Sequence, residues 1–208
     1  MCIFVHKFAI LSYMKSLSLS KPHMITVVGL PGSGKTFFAE KFADTFHAPY
    51  ISHEKILKLT DNNSKATDEL FDYQLEQLLK TKQSIIIEGR AETRNQRLEL
   101  ARKAREAEYE VLLIWVQTDP ATAKARAVKE SKNKSTTSYS PEEYERQVKH
   151  FNAPVAIEKP VVISGKHTYA SQAKVILKKL STPRAEISSH AAAPIRSDQP
   201  TRRNITIR

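Results

Sequence analysis

The chain has 208 residues, a length that suits one α/β domain with a proper hydrophobic core. Its 33 Lys and Arg outnumber 22 Asp and Glu to give a net charge of +11, which attracts phosphates or nucleic acid and equally suits an ordinary basic surface. The one cysteine, Cys2, excludes an intramolecular disulfide and a cysteine metal cluster and fits a reducing, cytoplasmic compartment, while no run nears the roughly 20 apolar residues of a membrane span.

In chain order, residues 1–23 come first. Cys2 to Tyr13 is apolar but interrupted by His6 and Lys7, with no clear small-residue cleavage site. The segment reads as a poorly ordered extension and not as a signal peptide. Met24-Ile25-Thr26-Val27-Val28 is a short β-branched run, the pattern of a buried strand. It leads straight into Gly29-Leu30-Pro31-Gly32-Ser33-Gly34-Lys35-Thr36, which spells G-x-x-x-x-G-K-[ST], the phosphate-binding P-loop. Phe37 to Phe46 follows with Phe38, Phe42 and Phe46 at helical spacing. Strand, loop and helix form the arrangement that confirms this motif. Gly29, Pro31, Gly32, Ser33 and Gly34 shape a concavity of backbone N–H groups for the phosphates. Lys35 is the mobile charge for the β- and γ-phosphates, and the Thr36 hydroxyl is placed to coordinate Mg²⁺. ATP is the expected nucleotide, since no guanine-selective N-K-x-D motif occurs.

Tyr50 to Ser52 reads as a second, short strand, with a helix over Glu54 to Leu59. Asp61 to Lys65 is a polar loop, and Thr67 is placed to cap a helix running to about Thr81 that buries Leu70, Phe71, Leu75, Leu78 and Leu79. Ser84 to Glu88 is a third, fully buried strand. A charged helix spans about Thr93 to Glu108, and Val111 to Val116 is the fourth strand, with Trp115 as a large core side chain. Asp119 caps a helix that has Pro120 in its first turn and runs to about Ser131. After a Ser-, Thr- and Lys-rich stretch, Ser140-Pro141-Glu142-Glu143 forms a capping box that opens a helix to about Phe151. Pro160 to Ile163 is the fifth strand and Tyr169 to Leu180 the last helix. From Thr182 the chain is rich in Pro, Ala, Ser and Arg, the composition of a disordered basic tail.

This alternation predicts a doubly wound α/β fold: a five-stranded parallel sheet with helices on both faces and a helical lid over about 119–151. Ligands of such sheets sit at the carboxyl ends of the strands. All five glycines fall on that rim, three in the P-loop and the others at Gly89 and Gly165. Glu88 ends an apolar strand as a metal-side carboxylate would, and Glu54 follows strand two, where it can take a proton from an acceptor hydroxyl. Arg90 and Arg94 are candidates for an anionic substrate. Arg94 and Arg97 share a helical face and read equally as solvated. Arg126, with Lys129, Lys132 and Lys134 behind it, supplies cations for a lid over the triphosphate.

With these residues in view, about 24 to 181 resembles the P-loop kinase group, and within it the polynucleotide-kinase-like and zeta-toxin-like ATP-binding proteins. The likeness rests on the P-loop, on Ile51-Ser52-His53-Glu54-Lys55-Ile56, on Ile85-Ile86-Ile87-Glu88-Gly89, and on Leu113 to Thr118 before the Arg126 helix. It implies transfer of the ATP γ-phosphate, with Mg²⁺, to a hydroxyl-bearing acceptor. Nucleic-acid 5′ ends, nucleosides and small metabolites, sugar nucleotides among them, all stay open as acceptors. The turn Gly165 to Thr168 would lie by the adenine. Glu54 and Leu57 stand where that group has Asp and Arg, and Glu88 where it has Asp. These departures leave the P-loop intact. The competing expectation is an ATP-binding regulatory or nucleic-acid-binding protein with little catalysis.

Overall fold

Every side chain from Met24 to Val28 is buried, which is what an apolar strand in the middle of a two-faced sheet requires. The computed structural model describes residues 19, 21–128 and 139–181. The expected extension up to residue 18, the lid lysines Lys129, Lys132 and Lys134, and the basic tail 182–208 lie outside the described residues. Strands β1 (His23–Val28), β2 (Tyr50–Ser52), β3 (Ile85–Glu88), β4 (Glu110–Gln117) and β5 (Val161–Ser164) form one parallel sheet in the order β2-β3-β1-β4-β5. Chain order reverses on either side of β1, which pairs with β3 through Ile25–Ile86 and with β4 through Ile25–Leu112. The P-loop therefore leaves the sheet at its switch point, where doubly wound sheets bind ligands.

Helices connect the strands: α1 (Lys35–Phe46), α2 (His53–Leu59), α3 (Ser64–Lys80), α4 (Arg94–Glu106), α5 (Pro120–Val128), α6 (Pro141–His150) and α7 (Tyr169–Ser181), with a 3-10 turn at Ala156–Glu158. One sheet face buries Phe38 and Phe42 of α1 with Ala173 and Ile176 of α7. The other buries Phe71 and Leu75 of α3 with Leu100 and Ala104 of α4. No helix among the described residues is long and apolar enough to cross a membrane.

The expected fold class is the observed one. Local starts follow side-chain chemistry. Ser140 and Glu143 close a reciprocal capping box on α6, and Thr93 and Gln96 close one on α4. One start differs from expectation. Asn63, and not Thr67, caps α3, which begins at Ser64. The Thr67 hydroxyl turns inward and donates to the Asn63 carbonyl at 2.7 Å, with the Thr60 hydroxyl at 2.6 Å. Trp115 also departs from a plain core role. It is half-buried and, with Phe151 and Val162, lines a cavity of about 680 Å³ beneath Leu30 of the P-loop.

Candidate functional site

The P-loop is held from three directions. Gly32 has φ +76°, and a Cβ there would overlap the Ala123 carbonyl oxygen of α5. A Cβ on Gly165, in the turn after β5, would overlap the Ser33 carbonyl oxygen. That carbonyl also accepts the Thr118 hydroxyl at 3.0 Å. Gly34, at φ +98°, is the N-cap of α1 and offers no side-chain cap. The other six α-helices among the described residues each begin with a side-chain acceptor: Ser52, Asn63, Thr93, Asp119, Ser140 and Thr168. The first N–H groups of α1 are left to an outside acceptor, and no acid lies in its first turn. A phosphate is the acceptor such an N-terminus favours. The Ser33 hydroxyl, buried in the loop, likewise has no hydrogen-bond partner.

Three side chains converge on Glu88 beside that N-terminus. Thr36 Oγ1 donates to Glu88 Oε1 at 2.5 Å, and Lys35 Nζ lies 3.6 Å from the same oxygen. Tyr50 donates its hydroxyl to Glu88 Oε2. Glu88 is 3% exposed, so its charge depends on these partners. Burial works against the Lys35 charge, but Glu88, then Tyr139, Glu54 and Glu92, hold its pKa above the ordinary lysine value. Burial, then Glu88, pushes the Tyr50 phenol well up, so it serves as a neutral donor. Tyr139 is raised by burial as well, with Lys35 opposing and Glu54, Glu88 and Glu92 adding. A hydroxyl and a carboxylate meeting at one point are hard oxygen donors and suit Mg²⁺, which takes few protein ligands and fills its shell with phosphate oxygens and water. No group of three His, Cys, Asp or Glu able to hold a metal occurs among the described residues.

The remaining expected residues spread around the rim. Glu54 lies in the first turn of α2, 3.3 Å from Lys58 Nζ, and contributes to the fields on Lys35 and Tyr139. Arg90 turns from the site toward α3: it donates to Asp72 at 2.7 Å and lies 3.8 Å from Asp68. Asp72 also takes Lys103 at 2.9 Å; burial opposes its charge, but Lys103 and Arg90 hold its carboxyl below the usual range. Arg94 is exposed at the start of α4. Its neighbour Arg97 is not solvated: it is 5% exposed, forks onto Glu158 at 2.7 and 3.1 Å, and donates to the carbonyls of Ala91, Glu92 and Asn152. Arg126, in the last turn of α5, donates to the Gly165 carbonyl at 3.2 Å.

Sequence reasoning passed over Tyr50, Glu92 and Tyr139. Glu92 was within reach, since it lies just past the end of β3 on the functional rim. Tyr50 carried no signal, because a Tyr opening a strand looks like any other strand aromatic.

An uncapped helix behind a glycine loop, with Lys35, Thr36 and Glu88 at the switch point of a β2-β3-β1-β4-β5 sheet, defines a nucleotide-binding protein of the P-loop kinase group. The AAA domain family (AAA_33) matches residues 24–154, more than half of the chain, and the chain belongs to that family. No curated protein matches the sequence. Among solved structures it is similar to a gluconokinase from Sinorhizobium meliloti 1021, at 18% identity and TM-score 0.56, over 76% of this chain and 91% of that one. Kti12 of Chaetomium thermophilum, solved with ADP-AlF3, aligns at 17% identity and TM-score 0.59, over 75% and 96% of the two chains. A sugar kinase from Janibacter sp. HTCC2649 aligns at 17% identity and TM-score 0.51, over 77% and 92%. At these identities the likeness is one of fold.

Proposed function

We propose that the protein is an ATP-dependent phosphotransferase that moves the γ-phosphate of ATP, with Mg²⁺, to a hydroxyl-bearing acceptor. The observation that carries the reading is the meeting of Lys35, Thr36 and Glu88 beside a helix N-terminus left without a side-chain cap. In this reading the loop from Gly29 to Gly34 wraps the phosphates with backbone N–H groups, and Lys35 follows the charge on the transferring group. Thr36 and Glu88 would hold Mg²⁺, which when bound would offset the negative charge of the phosphates. Glu54 takes the proton of the acceptor hydroxyl. Arg126 adds a cation on the Gly165 side, where the turn after β5 borders the nucleotide. Arg94 is the cation left exposed for an anionic acceptor, since Arg90 is already paired with Asp68 and Asp72.

The test is transfer of labelled γ-phosphate to 5′-hydroxyl DNA and RNA, nucleosides and sugars, with Lys35→Ala in parallel. Label on one acceptor class, lost in the variant, is the expected result and names the substrate. ATP binding with no label on any acceptor would overturn the kinase reading and leave a nucleotide-controlled binding protein.

A further inference from the structure

We propose that Tyr50 is a positioning residue for Glu88: its hydroxyl pins one carboxylate oxygen, so that the other stays on Thr36 where Mg²⁺ would be held. The inference rests on the reading of Thr36 and Glu88 as the magnesium side of the site.

Register explains how the two residues meet. Tyr50 pairs with Ile86 across β2 and β3, and Glu88 lies two residues further along β3. Paired residues of parallel strands, and residues two apart on one strand, share a face. Ile86 packs on the α1 face, so Tyr50 and Glu88 point there too. The phenol spans that two-residue step and reaches Glu88 Oε2, while Thr36 holds Oε1 at 2.5 Å.

A glutamate needs such a second hold. Its side chain has one torsion more than aspartate, and Lys35 Nζ lies only 3.6 Å from Oε1. An unrestrained carboxylate would swing onto that ammonium. It would then leave Thr36 and neutralise the cation the phosphates require. Tyr50 prevents both by occupying Oε2. The ring is itself braced. Lys55 Nζ stands 5.0 Å over it, and Lys55 is tied to Glu40 of α1 at 2.9 Å. The phenol is thereby fixed to the helix that carries Lys35 and Thr36. Groups that orient a metal ligand in this way are typically worth about 10- to 100-fold in metal affinity or activity.

Calorimetric titration of ATP, with Mg²⁺ and with EDTA, tests the assignment on the wild type, Tyr50→Phe, Glu88→Gln and the double variant. Phe keeps the ring and its contact with Lys55. In Tyr50→Phe, metal-free affinity should stay within about twofold of wild type, while the gain from Mg²⁺ falls about tenfold. Glu88→Gln should abolish that gain, and adding Tyr50→Phe should change nothing further. An undiminished Mg²⁺ gain in Tyr50→Phe would overturn the proposal. So would an equal loss of metal-free affinity, or an additive loss in the double variant. No acceptor is needed, so a protein that binds ATP with Mg²⁺ yet transfers phosphate to nothing would refute the kinase reading and leave the role of Tyr50 standing.

Discussion

Arg97 and Glu158 show how far a residue's meaning depends on what it touches. In the sequence Arg97 is one of several arginines on a charged helix. In the structure it ties α4 to the loop that carries Glu92 and to the segment between α6 and β5. Breaking a buried pair by removing one partner costs about 3–5 kcal/mol, because the other charge stays behind. The Arg97 fork holds the Glu158 carboxyl below its ordinary value of 4.5 even though burial opposes it. A depressed carboxylate stabilises the fold above its unfolded pKa and loses that contribution as pH falls through the folded one. Glu158→Gln should therefore lower the melting temperature most at neutral pH. The gap to wild type should close as the pH drops below about 4.5. A gap that stayed constant from pH 7 to pH 3 would assign the pair no role in acid stability.

Elements follow the same logic one level up. The capping box at Ser140 and the three-residue strand at Tyr50 were legible because local chemistry decides them. The α3 cap was not, since Asn63 and Thr67 are both good cap residues and only packing turns Thr67 inward. Packing also sets the stakes at Phe71, fully buried between α3 and the sheet beside the His53 ring. Phe71→Ala should cost about 3–5 kcal/mol in urea unfolding. A loss below about 1 kcal/mol would mean that the site collapses around the smaller side chain. The P-loop depends on α5 in another way. Gly32→Ala combines a left-handed backbone with overlap of the Ala123 carbonyl, so it should weaken ATP binding by about tenfold or more. Far-UV circular dichroism should stay close to wild type, because the strain is local. Unchanged ATP affinity would show that α5 yields to the extra methyl.

At the scale of the whole molecule, the order β2-β3-β1-β4-β5 brings distant residues to one rim. Lys35 meets Glu88 across 53 positions of chain because β1 and β3 are neighbours. Beneath the rim a chain of hydrogen bonds and ion pairs runs from His53 through Asp68, Arg90 and Asp72 to Lys103 and joins α2, the turn after β3, α3 and α4. That network pairs Arg90, a candidate substrate contact, with two carboxylates, and carboxylates are prominent around Lys35 and Tyr139 as well. The net charge of +11 thus says little about the sign of the field inside the site. A protein of basic surface places Glu54, Glu88 and Glu92 around its P-loop lysine.

The sequence by itself determined the α/β class, nearly every strand and helix, and the phosphate loop with Lys35 and Thr36. These are local matters: apolar periodicity, capping chemistry and glycine spacing act over a few residues. Only the tertiary structure decided that Glu88 is held by Thr36 and Tyr50 together and that Arg90 and Arg97 are bound by acids. Those outcomes depend on which residues from separate elements become neighbours. A desolvated charge takes whatever partner the packing brings within reach, and spacing along the chain does not carry that choice.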